Sequence, residues 1–98
     1  MFVRVWRFAV QSGREGDFEE VYGPSGAWAQ LFSRAAGYSG TELQQPQAGS
    51  CHYLVVDRWT SREAWETFRR EHAAAYECLD ADCEALTLSE ELVSETET

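Results

Sequence analysis

The sequence predicts an α+β fold in which a four-stranded antiparallel sheet carries its helices on one face. Apolar residues recur with strand and helix periodicities in the order β-α-β-β-α-β. The β-rich stretch 53–59 runs directly into an amphipathic helical pattern, which is typical of a strand-to-helix junction. The chain has 98 residues, 44% of them hydrophobic, so it can build the core of one domain.

The first strand is predicted at residues 2–10, where both alternating sets of side chains are mostly apolar. That pattern is typical of a strand covered on both faces. Apolar residues at helical spacing then predict a helical region over 14–22 and 27–35, interrupted by Gly and Pro at 23–26. Gly37 is expected to end this region as a C-terminal cap.

Two strands and a capped helix form the middle of the chain. Strands are predicted at residues 38–44 and 51–59, joined by a polar loop. Thr60 and Glu63 have the spacing of a capping box, in which a hydroxyl and a carboxylate satisfy backbone donors at a helix start. The helix is predicted over residues 61–76.

The C-terminal part is predicted to contain a short acidic helix at 77–82. A last strand follows at about 84–88 and extends as far as 93. We therefore expect one domain over residues 1–93. Residues 94–98 are acidic and poor in apolar side chains, which predicts a disordered tail.

This element order is the ferredoxin-like split βαβ pattern, which leaves one face of the sheet bare. Because the first and third strands are apolar on both faces, the bare face is expected to be buried by a second copy of the chain. The sequence therefore predicts a homodimer formed through the sheet face, which is the architecture of a dimeric α+β barrel.

The charge balance excludes two classes of partner. The net charge is −9 and the chain contains no Lys, so it lacks the basic stripe that binds nucleic acids and anionic membranes. No apolar run approaches the roughly 20 residues of a membrane span. The charged N-terminal strand is unlike a signal peptide. The odd number of cysteines, three, is consistent with reduced thiols, so we expect a soluble cytoplasmic protein.

Two motifs of the chain are specific: the Gly-Tyr-x-Gly strand entry at 37–40 and the Trp-x-Ser-x-x-Ala junction at 59–64. They belong to a set of stretches that comprises 5–8 with Ser12 and Gly13, 37–43, 53–59 with Ser61, and 63–65. In these stretches the chain resembles the antibiotic biosynthesis monooxygenase family of dimeric α+β barrels. The resemblance implies a small monooxygenase that acts on an aromatic or polycyclic substrate without an obligatory cofactor.

The family also contains haem-degrading oxygenases, so haem is the alternative ligand that the resemblance implies. Both the quinone-forming and the haem-degrading branches use an Asn, and this chain has none. Trp6 stands at the first-strand position, and Phe68 lies near the position of the helix Trp. Two other hypotheses therefore stay open: a non-catalytic dimeric module that binds haem or another hydrophobic small molecule, and a structural dimerisation domain.

His72 and Arg7 are the candidate catalytic residues. His72 lies on the apolar stripe of the long helix, where an imidazole can act as a general base near neutral pH. In this scheme His72 or a nearby Tyr removes a phenolic proton and Arg7 stabilises the anion. The alternatives are a half-buried, hydrogen-bonded His and arginines that form ion pairs across the dimer.

The candidate substrate-binding residues are aromatic, since flat apolar rings bind planar ligands. The alternative is that these rings pack in the core. The candidates are Trp6, Trp65, Phe68, Tyr22 and Tyr76. No metal site is predicted, because the spacing of Cys51, His52, Cys78 and Cys83 fits no common zinc pattern.

Overall fold

A four-stranded antiparallel sheet with helices on one face makes up the computed structural model, which describes residues 1–98. The strand order is β2-β3-β1-β4, which confirms the predicted ferredoxin-like α+β fold. The elements are β1 (Phe2–Val10), α1 (Glu15–Tyr22), α2 (Ala27–Phe32), β2 (Tyr38–Gln44), β3 (His52–Trp59), α3 (Arg62–Glu71), α4 (Ala73–Cys83), a 3-10 turn (Glu84–Leu86) and β4 (Thr87–Glu97). None of the helices has both the length and the apolar character needed to cross a membrane.

The core lies between the sheet and the helices and is centred on Trp59. This residue ends β3 and is 0% exposed. Its ring centroid lies 5.2–5.4 Å from those of four neighbouring rings. These neighbours are Phe32, Tyr38, Trp65 and Phe68. The aromatic side chains of two helices and two strands therefore meet at one point.

The other face of the sheet carries an apolar strip. Val5 of β1 lies opposite Val56 of β3, and Leu54 lies opposite Arg7. Arg7 forms an ion pair with Glu91 of β4, at 2.8 Å. The centre of this face is therefore apolar, and the ion pair lies beside it.

The long helix predicted over residues 61–76 is two helices. His72 has φ −115° and ψ 28°, which ends α3 and begins α4. The N-cap is Ser61 rather than the predicted Thr60, because the Ser61 hydroxyl accepts the Ala64 N–H at 3.1 Å. Thr60 instead donates its backbone N–H to Gly37, at 2.8 Å.

Residues 94–97 belong to β4, so the prediction of a disordered tail is wrong for them. Composition alone does not reveal contacts with distant residues, and residues of this segment make such contacts. Glu95 pairs with Arg4 at 2.9 Å, and Glu97 accepts the backbone N–H of Arg62 at 2.8 Å. At the same edge the N-terminal ammonium donates to the Thr98 carbonyl at 2.8 Å.

A bulge in β2 changes which side chains face the helices. Tyr38 lies opposite Trp59 and Gly40 lies opposite Arg58, so β2 has one extra residue here. Gly40 has φ 141°, a conformation that L side chains rarely adopt. As a result Tyr38 and Thr41 face the same side of the sheet.

Gly40→Ala is expected to lower the free energy of unfolding by about 1–2 kcal/mol, measured by urea denaturation. No atom lies within 4 Å of a Cβ built at Gly40, so the cost comes from the backbone conformation alone. Gly16→Ala is the matched control, since that Cβ would also meet nothing and Gly16 lies inside α1. Equal effects of the two substitutions would contradict a strained bulge.

Candidate functional site

A cavity of about 270 Å³ lies between the sheet and the helices. Side chains from three strands and all four helices line it, and most of them are aromatic or charged. They are Arg4, Trp6, Phe8, Tyr22, Trp28, Phe32, Val55, Asp57, Arg69, Tyr76, Asp80 and Glu90.

Arg4 places a fixed positive charge in the cavity wall. It is 8% exposed, and its Nε donates to the Glu95 carboxylate at 2.9 Å. Its guanidinium carbon lies 4.0 Å from the ring centroid of Trp65 and 5.5 Å from that of Trp6. Ion pairing and stacking on two aromatic faces hold the guanidinium in place.

Asp57 is a buried carboxyl group beside Arg4. The two residues lie opposite each other on β3 and β1, and Asp57 is 6% exposed. Thr41 donates its hydroxyl to Asp57 Oδ1 at 2.7 Å. Burial raises the pKa of Asp57 to about 6, while the Thr41 hydrogen bond and the Arg4 charge oppose that rise. A carboxyl group with this pKa can accept a proton at neutral pH.

The raised pKa predicts a pH-dependent stability. The folded state holds the Asp57 proton more tightly than the unfolded state, whose ordinary pKa is 3.8. The stabilisation is therefore complete below about pH 4 and is lost as the pH rises through about 6. We expect Asp57 to lower the free energy of unfolding by on the order of 2–3 kcal/mol over that interval.

Urea denaturation of the wild type and of Asp57→Asn at a series of pH values measures this effect. Other carboxyl groups titrate in both proteins, so the difference between the two curves isolates Asp57. The free energy of unfolding of the wild type should fall relative to that of Asp57→Asn as the pH rises from about 4 to about 7. A difference that does not change with pH would mean that Asp57 has an ordinary pKa in the folded chain.

The aromatic walls cannot supply a base near neutral pH. Burial, the largest cause, raises the pKa of Tyr22, and burial also raises that of Tyr76 although Arg4 and Arg69 lower it. The Arg69 guanidinium carbon lies 3.8 Å from the Tyr76 ring centroid, and no ion pair with a carboxylate engages Arg69. The rings therefore supply apolar surface, and Arg69 supplies a second cation.

Acidic groups occupy another part of the wall. Asp80 and Glu90 line the cavity and also an adjoining cleft that contains Glu84. Burial raises the pKa of Glu90, and the charges of Asp80 and Glu84 raise it further. The cavity wall therefore carries a second acidic region, formed by Asp80 and Glu90, in addition to the Asp57 carboxyl group beside Arg4.

The structure brings together three of the seven residues predicted from the sequence to form the site. Trp6, Tyr22 and Tyr76 line the cavity. Trp65 packs in the core and contacts the Arg4 guanidinium. Phe68 is buried in the same core, at 1% exposure.

The two predicted catalytic residues lie elsewhere. His72 stacks on Phe68, with ring centroids 5.0 Å apart, and borders a separate cleft with Arg34 and Glu71. Arg7 is paired with Glu91 on the open face of the sheet. Neither side chain lines the aromatic cavity.

The predicted site residues did not include Asp57, Arg4 or Arg69, which line the cavity. The signal for Asp57 was its position within an apolar strand, where it shares a face with Val55 and Trp59. A carboxyl group on the buried face of a strand needs a partner or a function.

The residues of the cavity do not fit a haem ligated by His72. The wall contains no His and no Cys, and His72 borders a different cleft. No group of three or more His, Cys, Asp or Glu side chains could hold a metal ion.

The fold and the cavity define a ferredoxin-like α+β protein whose candidate site lies between sheet and helices. The model of the family described as antibiotic biosynthesis monooxygenase matches residues 1–76. The chain belongs to that family, and the resemblance read from its motifs is confirmed. It is a small monooxygenase-like protein.

Solved structures show the same fold. A variant of SnoaB, a cofactor-independent oxygenase from Streptomyces nogalater, has a TM-score of 0.72 at 21% identity, covering 99% of this chain and 94% of that chain. An MhuD variant with two manganese protoporphyrin IX bound per active site has a TM-score of 0.71 at 23% identity, and the match covers 100% of this chain and 94% of that chain. A dimeric ferredoxin-like protein from an uncultured marine organism has a TM-score of 0.72 at 10% identity, and the match covers 100% of this chain and 94% of that chain. A search of curated proteins finds no significant match.

Proposed function

We propose that this protein is a cofactor-independent monooxygenase that oxidises an aromatic or polycyclic phenol. One observation carries the proposal: the buried Asp57 carboxyl group lines an aromatic cavity beside the fixed guanidinium of Arg4. A base and a cation at a desolvated site are what the formation of a phenolate requires. The SnoaB structure, of a cofactor-independent oxygenase with the same fold, supports this choice.

In the proposed reaction the Asp57 carboxylate removes the phenolic proton. Arg4 and Arg69 stabilise the anion, whose electron-rich ring passes electrons to dioxygen. Oxygen bonds to a ring carbon as a hydroperoxide, and its O–O bond breaks with loss of water to leave a quinone carbonyl. Dioxygen is the oxidant: one of its atoms enters the product and the other leaves as water.

The size of the cavity favours a compact ring system over a porphyrin. Its volume of about 270 Å³ lies near the lower limit, about 300 Å³, of pockets that bind drug-sized ligands. The same volume and the lack of a His in the wall weigh against the haem-binding alternative.

Oxygen uptake with a panel of hydroxynaphthoquinols and anthrones tests the proposal. The protein is first treated with a chelator, and turnover with at least one substrate, with quinone formation, is the expected result. A parallel titration with haemin should give no stoichiometric shift of the Soret band. Stoichiometric haemin binding with no turnover of any phenol would overturn the proposal in favour of a haem-binding module.

We also propose that the chain forms a homodimer through the open face of the sheet. The apolar strip on that face, in which the half-buried Val5 lies opposite Val56, would be covered by a second copy. The dimeric protein with the same fold supports this assembly. All three cysteines are free thiols, which supports a cytoplasmic location.

Val5→Glu is expected to convert the dimer to a monomer, because it would place two carboxylates at the centre of an apolar interface. Light scattering coupled to size exclusion measures the mass. Gln30→Glu is the matched control, since this exposed residue of α2 lies on the helical side of the molecule. A monomeric wild type at micromolar concentration, or a dimeric Val5→Glu, would contradict this interface.

A further inference from the structure

A chain of hydrogen bonds leads from the bulge in β2 to the carboxyl group in the cavity. We propose that Tyr38 and Thr41 are positioning residues that orient the Asp57 carboxylate and keep it ionised at neutral pH. The catalytic meaning of this role rests on the proposed function, whereas the hydrogen-bond chain itself does not.

The charge of Asp57 fixes the direction of the hydrogen bonds. An ionised carboxylate can only accept, so the Thr41 hydroxyl donates to Oδ1, at 2.7 Å. The Thr41 oxygen is then free to accept from the Tyr38 hydroxyl, which lies 2.5 Å away. Burial, together with the charge of Asp57, raises the pKa of Tyr38, so its hydroxyl stays protonated and can donate. Both donors therefore point toward the negative charge, and each strengthens the other.

The bulge in β2 makes this chain of hydrogen bonds possible. In a regular strand Tyr38 and Thr41 would lie three residues apart and face opposite sides of the sheet. The extra residue near Gly40 turns both side chains to the helical side, where Thr41 lies opposite Asp57. The Gly-Tyr-x-Gly stretch at 37–40 thus supplies both the bend and the first hydroxyl.

Other groups also influence the charge of Asp57. Arg4 from β1 favours the carboxylate, and burial opposes it. Arg4 acts on Asp57 through its charge, whereas Thr41 donates a hydrogen bond to the Asp57 side chain. The further titratable side chains in the cavity wall, from α1, α3, α4 and β4, are Tyr22, Arg69, Tyr76, Asp80 and Glu90.

Titration of the Asp57 carboxyl carbon by NMR, in protein labelled with carbon-13 aspartate, tests the proposal. Thr41→Val keeps the shape of the side chain but removes the hydroxyl, and should raise the pKa of Asp57 by about one unit. Tyr38→Phe should raise it in the same direction by less. Thr41→Ser should restore the wild-type value, because it keeps the donor.

Thr67→Val, on α3 outside the cavity, is the matched control and should leave the titration of Asp57 unchanged. An unchanged pKa in Thr41→Val, or equal shifts in Thr41→Val and Thr41→Ser, would overturn the proposal. If Thr41→Val does not fold, an unchanged pKa in Tyr38→Phe would overturn it as well. The titration needs no substrate, so its result is independent of whether phenols are oxidised. Where they are, the acid limb of the pH–rate profile should move with the pKa measured by NMR.

Discussion

Asp57→Asn is expected to lower the rate of phenol-dependent oxygen uptake by at least about 100-fold, the usual contribution of a general base. The amide keeps the shape of the side chain and can still accept the Thr41 hydroxyl, but it cannot take up the phenolic proton. Arg4 and the aromatic walls stay in place, so substrate binding should change much less than turnover. The measurement is kcat and KM with the best substrate of the panel, at a pH above the pKa of Asp57.

His72→Ala is the control, because it tests whether the base is Asp57 in the cavity or the histidine between α3 and α4. The imidazole does not line the cavity, so this variant should keep most of the wild-type rate. If His72→Ala lost activity and Asp57→Asn kept it, the base would be the histidine chosen from the sequence and the cavity would have another role.

Trp59→Ala is expected to destabilise the fold by about 3–5 kcal/mol, the usual cost of removing a large buried aromatic side chain. Trp59 is 0% exposed and packs against four other rings, so its loss leaves a void that no single neighbour can fill. Domains of this size are stable by about 5–15 kcal/mol, so much of the stability would be lost. Urea denaturation followed by circular dichroism measures the effect.

Trp59→Phe is the comparison for this variant. The indole N–H of Trp59 is buried and has no hydrogen-bond partner, so phenylalanine keeps most of the packing and removes an unsatisfied donor. Its cost should be less than half that of alanine, or below about 2 kcal/mol. Equal costs for the two substitutions would mean that ring packing at this point is not what stabilises the core.

Much of the fold could be predicted because its signals are local. Alternation at 2–10, the Gly and Pro break after α1 and the junction at Trp59 each fix an element from neighbouring residues alone. The predictions were wrong where contacts with residues distant in the sequence determine the local structure. Residues 94–97 look disordered by composition, but they pair with β1, and the Glu95 and Glu97 carboxylates contact Arg4 and the backbone N–H of Arg62.

The site could be predicted only in part, because it depends on the direction of side chains after folding. Helical spacing placed His72 on the stripe of Phe68, but the backbone turns at His72 and directs it to another cleft. Arg7 and Arg4 have the same chemistry in sequence and lie on opposite faces of β1. Only the pairing of β1 with β3 shows that Arg4 meets Asp57.

The contact between the N-terminal ammonium and the Thr98 carbonyl, at 2.8 Å, means that the chain nearly closes on itself. Since β1 and β4 are adjacent, a short linker could join the two ends without disturbing the sheet. New ends could then be opened in the polar loop between β2 and β3, which is exposed and lies away from the cavity wall. The molecule is therefore suited to circular permutation, with the aromatic cavity kept intact.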